Sequence, residues 1–173
     1  VYTGTLTYGT PEVIAVQSVI PELSDSDLYL YTAACERLSE HPLGKAIVKG
    51  CRQKLGSSSD SASSSLFTDV SVENFQMIPG RGISAAVNHQ PVLAGNLSLF
   101  SEQNVSIPAD FEQRTAFYLH EGATIIYVAY NGKAAGFLAL ADTLRLESQK
   151  MIDAIRAQNI DPVLLTGDHE NAA

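Results

Sequence analysis

The sequence predicts an α+β domain on an antiparallel sheet of about six strands flanked by two helical hairpins, with short segments of a second domain at both ends. Three observations carry this expectation. Short runs of strand-like alternation follow one another across Gly, Pro and Asn turns, which is how a series of hairpins reads. Segments with helical apolar spacing come in pairs joined by short links. Residues 142–173 instead read as helix, short apolar strand and Gly-Asp turn, the order of an α/β unit.

Taken in order, residues 11–20 alternate as a half-buried strand with Val13, Ala15 and Val19 inward. Ser24-Asp25-Ser26-Asp27 is a helix start, an oxygen-bearing cap followed three residues later by an acid. Leu28, Tyr31, Cys35 and Leu38 then recur at helical spacing until Pro42 biases the residue before it away from helix. Proline suits the first turn of a new helix, and Leu43, Ala46, Ile47, Cys51 and Leu55 mark its inner face. Glu40 and His41 therefore fall at the joint of two helices. The Ser-rich stretch 56–65 cannot pack and is expected to be a mobile loop. Strands are expected over 69–77, 83–87 and 92–94, helices over 97–103 and 109–120, the latter closing at Gly122. Residues 123–130 and 133–141 flank Asn131-Gly132, a strong hairpin signal. A helix is marked by Leu146, Ile152 and Ile155, and a short strand by residues 162–165 before Thr166-Gly167-Asp168.

Composition narrows the function classes. With 11 Lys+Arg against 19 Asp+Glu the formal net charge is −8, which opposes a counterion-release grip on nucleic acid. The best apolar run, residues 134–141, is far short of the roughly 18–20 residues of a membrane helix. Val1-Tyr2-Thr3-Gly4 offers neither the basic start nor the apolar stretch of a signal peptide, so a soluble domain is expected. Two cysteines, Cys35 and Cys51, sit in helical apolar patterns and read as reduced core thiols in a reducing compartment.

Several motifs fail their own structural requirements. Gly44-Lys45 is followed by Ala46 and lies within a helix, so it is no phosphate loop. Gly80-Arg81-Gly82 precedes a strand-like run, whereas the dinucleotide fingerprint needs a helix there. Those glycines instead offer free φ and room for a close approach. His89, His120 and His169 have no ligand spacing with His41, so no metal site is expected.

Read together, the segments carry a resemblance. Residues 39–47, Ser-Glu-His-Pro-Leu-Gly-Lys-Ala-Ile, are similar to the SEHPL signature of heavy-metal-transporting (type IB) P-type ATPases, and copper is the expected cargo because copper pumps are the commonest members of that family. Pro79-Gly80-Arg81-Gly82-Ile83 resembles their G-x-G motif, Gly95-Asn96 the Gly-Asn after it, and Glu36 the acid before the signature. Thr3 to Thr7 resembles the tail of the D-K-T-G-T-L-T phosphorylation motif, and Thr166-Gly167-Asp168 the later T-G-D. The resemblance implies a nucleotide-binding (N) domain over 12–141 and phosphorylation (P) domain slivers over 1–11 and 142–173. It implies ATP as substrate, with Mg²⁺ accompanying the nucleotide. The adenine would lie beside Glu36, His41, Gly80, Gly82, Ile83, Gly95 and Asn96, with Glu40 and Pro42 in support. His41 would stack on the base, a contact worth roughly 1–3 kcal/mol. Glu36 would accept from the exocyclic amine, which selects adenine over guanine. Implied partners are ATP, ADP and the P- and actuator domains of a parent pump, the chain being a cytosolic, monomeric part of an integral membrane protein.

Departures qualify what the chain can do. The family's Asp-Lys, whose Asp becomes aspartyl phosphate, is replaced by Val1-Tyr2 or dropped, so no catalytic residue is assigned. The chain is expected to bind nucleotide without phosphorylating itself. His169 and Ala172 stand where Asn and Thr are usual. Two rival readings are a haloacid dehalogenase-type phosphohydrolase, which lacks its nucleophile here, and a nucleotide-sensing module using the Ser-rich loop as a docking or modification site.

Overall fold

The computed structural model describes residues 7–56, 66–144 and 154–158. The Ser-rich stretch 57–65, the Val1-Tyr2 start, the strand expected at 162–165 and the Thr166-Gly167-Asp168 turn lie outside the described residues. Of the helix expected around Ile155, residues 154–157 are helical.

Six strands form one sheet: β1 (Thr7–Ser18), β2 (Val72–Ile78), β3 (Gly82–Val87), β4 (Gln90–Gly95), β5 (Thr124–Tyr130) and β6 (Lys133–Leu144). Their order is β1-β6-β5-β4-β3-β2, and every neighbouring pair is antiparallel. Helices α1 (Asp25–Glu36) and α2 (Pro42–Leu55) cover one face; α3 (Leu97–Glu102) and α4 (Asp110–His120) cover the other. Leu28, Cys35 and Ile47 pack on Ile83, Val92 and Leu138 on the first face. Phe100 and Phe111 pack on Ile125, Tyr127 and Phe137 on the second. Burial on both faces explains the unbroken apolar run of β6, since successive side chains enter opposite cores.

The caps follow the sequence. Ser24 and Asp27 form a reciprocal capping box at α1. Helix α4 ends in a Schellman motif: Gly122 at φ +75° donates to Leu119, and Ala123 to Tyr118 at 2.9 Å. Asn131 and Gly132, both at positive φ, form the tight β5–β6 turn.

Three expectations needed correction. Val13 and Ala15 face opposite cores, because the register slips between them and leaves Ile14 as an outward bulge, 53% exposed. Leu38 is exposed rather than buried, since α1 stops at Glu36 and Leu38 belongs to the following turn. Strands β1 and β6 overrun the expected limits at 11 and 141, with Thr7 opposite Leu144, since each supplies the other's ladder. Cys35 and Cys51 are free and buried, and burial pushes both thiols up to about 12.

Candidate functional site

One wall of the site is the joint between α1 and α2. Pro42 keeps His41 extended, at φ −68° and ψ 139°, and has no N–H of its own. The first orphan donor that needs a partner is therefore the Leu43 N–H, and His41 Nδ1 accepts it at 3.2 Å. An accepting Nδ1 places the proton of the neutral imidazole on Nε2 and holds the exposed ring at the helix start. The His41 N–H donates to Ser39 Oγ at 3.2 Å, and the Ser39 hydroxyl hydrogen-bonds the Glu36 carboxyl.

Glu36 is 7% exposed at the C-terminal end of α1. Burial raises its carboxyl above the ordinary value, while the Ser39 hydrogen bond pulls it back. Gly44 makes room for it: a Cβ there would overlap Glu36 Oε2 and come within 3.2 Å of Ser39 Oγ. A glycine inside a helix costs about 0.5–1 kcal/mol relative to alanine, and here the buried carboxyl is the reason for it.

The opposite wall is a turn tied down by its backbone. Ile78 O accepts from Arg81 N–H at 3.0 Å across Pro79-Gly80, with Gly80 at φ +70°, the pattern of a type II turn. Gly82 and Gly95 face each other across β3 and β4, and a Cβ on Gly82 would strike the Ala94 carbonyl. Asn96 caps α3 by accepting from Leu99 N–H at 3.1 Å and donates to Gly80 O at 3.0 Å. Its side chain thus clamps the glycine turn to α3.

Between these walls lies a cavity of about 250 Å³. It opens where the α1–α2 joint meets the ends of β2 and β4 and the starts of β3 and β5. Glu36 and His41 line it from one side, Gly80, Gly82, Ile83, Gly95 and Asn96 from the other. Ile83 is 2% exposed and forms floor more than wall. The two supporting residues do not line it: Glu40 pairs with Lys45 at 3.0 Å on the surface, and Pro42 starts α2. Ser39 and Arg81 line it without having been singled out, although both lie inside the quoted motifs. Gly44 escaped because its neighbour is eight residues back in sequence, across the helix joint.

The chemistry available is recognition. Ser39, His41 and Glu36 carry the residue types of a nucleophile triad, but the connections are wrong. His41 reaches Ser39 through its backbone N–H, and its Nδ1 is committed to the cap. A mostly apolar slot with one buried carboxyl and close backbone suits a flat ring bearing a polar edge. Among the described residues no group of three or more His, Cys, Asp or Glu could hold a metal, and no helix is long and apolar enough to cross a membrane.

Comparison with known proteins gives the family. Residues 2–173 match the haloacid dehalogenase-like hydrolase family. The chain is 34% identical over 171 residues to a copper-exporting P-type ATPase of Staphylococcus haemolyticus, covering 99% of this chain and 19% of that protein. It is 33% identical over 181 residues to the copper-transporting ATPase RAN1 of Arabidopsis thaliana, covering 99% of this chain and 18% of that one. The chain thus spans less than a fifth of these relatives. Among solved structures, a zinc-transporting PIB-type ATPase superposes with a TM-score of 0.78 at 31% identity, over 99% of this chain and 25% of that one. The N-domain of HMA6, a copper-transporting P-type ATPase, shares the fold with a TM-score of 0.54 at 24% identity, over 76% of this chain and 99% of that one. The chain therefore belongs to the haloacid dehalogenase-like hydrolase family, and within it is homologous to the heavy-metal-transporting P-type ATPases.

Proposed function

We propose that residues 12–141 are the nucleotide-binding domain of a copper-transporting P-type ATPase, which holds ATP by its adenine for phosphoryl transfer to an aspartate of the P-domain. The observation that carries this is the buried Glu36 carboxyl facing an apolar slot, with glycine backbone opposite and the His41 ring at the rim. Glu36 accepts from the exocyclic amine; His41 stacks on the base; Ile83 supplies apolar floor. Gly82 and Gly95 let the β3 and β4 backbones of the second wall pack closely, where a Cβ on Gly82 would strike the Ala94 carbonyl and one on Gly95 the Arg81 carbonyl, and Asn96 holds that wall in place.

Mg²⁺ fits as a companion of the nucleotide phosphates rather than as a resident of this chain. Copper as cargo rests on what the bacterial and plant relatives are named for, and ion choice belongs to membrane segments of the parent pump. In that pump the domain is cytosolic and works against the P- and actuator domains. Pairing of β1 with β6 as far as Thr7 and Leu144 runs past residues 11 and 141 and brings the two ends of the domain together. Two connections leaving side by side are what insertion into another domain requires. The domain by itself binds nucleotide as a monomer.

Backbone amide shift mapping tests the site. Adding MgATP to the isotope-labelled chain should move the Gly80, Gly82 and Gly95 amides. Shifts confined to the groove between α3 and α4 would overturn the assignment.

A further inference from the structure

The geometry points to Arg81 as the residue that holds the phosphate chain of a nucleotide in this cavity, exchanging its partner Glu102 for phosphate oxygens. This rests on the adenine-binding reading and adds the polyphosphate contact to it. Arg81 stands between the two glycines of the turn, on the lip of the cavity. Its backbone is fully used, the N–H donating to Ile78 O at 3.0 Å and the carbonyl accepting from Asn96 N–H at 2.8 Å. The position is therefore fixed without the side chain, which remains 43% exposed.

Charge singles it out. Among the described residues lining the cavity Arg81 is the one lysine or arginine, in a chain of net charge −8. A di- or triphosphate leaving the slot of so acidic a chain is held best by a cation at the exit. Arg81 is paired with Glu102 on α3, and that carboxylate is 45% exposed. An ion pair so open to water is worth little, so giving it up costs little. A phosphate presents more charge and accepts the guanidinium fork bidentately, which makes it the stronger partner. Glu102 thus shields the cation while the site is free and releases it to the anion.

Calorimetric titration of the full chain with adenosine and with ADP, at low salt, tests this. The wild type should bind ADP about 5- to 20-fold more tightly than adenosine. Arg81→Ala should abolish that advantage while adenosine affinity and melting temperature stay unchanged, and Arg81→Lys should restore part of it. Glu102→Gln should tighten ADP binding by about 2- to 5-fold, because the competing carboxylate is gone. An unchanged ADP-to-adenosine ratio in Arg81→Ala overturns the role, as does an equal loss for both ligands. ADP affinity that does not rise in Glu102→Gln overturns the exchange. A wild-type chain that binds neither ligand contradicts the adenine site itself, a result distinct from the other three.

Discussion

Glu36 is a carboxyl held out of water, and its surroundings set two measurable properties. Because burial raises it, the folded chain keeps a proton that the unfolded chain has already released. Stability from this group is therefore complete below the ordinary value of 4.5 and is lost as pH rises through the folded value. Thermal unfolding from pH 4.5 toward neutrality should show wild type losing stability relative to Glu36→Gln as pH increases; a constant difference would mean the carboxyl is not buried. His41 caps α2, and one substitution can separate that cap from the stacking proposed for its ring. Asparagine is a good N-cap but has no ring, so His41→Asn should leave the melting temperature nearly unchanged. Calorimetry should show ATP binding weakened roughly 5- to 150-fold by loss of stacking. That His41 and Glu36 line the cavity was legible only through the resemblance, His41 inside the SEHPL signature and Glu36 five residues before it. The cap on Leu43 and the space left by Gly44 were not, since both depend on how two helices meet.

At the level of elements, turn chemistry decides the register of the sheet. Asn88 and His89 form a two-residue turn between Val87 and Gln90, with both φ values positive, 50° and 67°. Such turns favour glycine at the second position, and a side chain there carries about 1–2 kcal/mol of strain. His89 recovers little through Glu73, which lies 3.5 Å away on the surface. His89→Gly should raise stability by about 0.5–1 kcal/mol after glycine's own entropy cost, about 1–4 °C in a thermal scan. A lower melting temperature would show that the His89–Glu73 contact outweighs the strain. Helix pairs and hairpins could be read in advance because their apolar periods differ and their turns carry Gly, Pro and Asn. The bulge at Ile14 could not: alternation predicts a face only while the register holds, and the slip is set by pairing with β6. The ends of β1 and β6 escaped for the same reason, because a ladder between two strands leaves no apolar pattern.

Across the whole molecule, two cores on either side of one sheet leave the cavity at a single sheet end, where β2–β5 and the α1–α2 joint converge. No local pattern states that convergence, yet Glu36, His41, Gly80, Gly82, Ile83, Gly95 and Asn96 all line the cavity. With a net charge of −8, the proposed site would draw its affinity from the base, apart from the cation at Arg81. Selectivity should therefore follow the Watson–Crick edge of the base rather than the phosphates, which ATP and GTP share. Guanine presents a carbonyl where adenine presents an amine, and the buried Glu36 carboxylate then has no donor to accept from. The most direct measurement is calorimetric titration of the chain with ATP, ADP and GTP under one condition. ATP and ADP should bind with similar affinity and GTP at least about tenfold more weakly; equal affinity for GTP, or no binding of ATP, would contradict an adenine site built on Glu36 and His41.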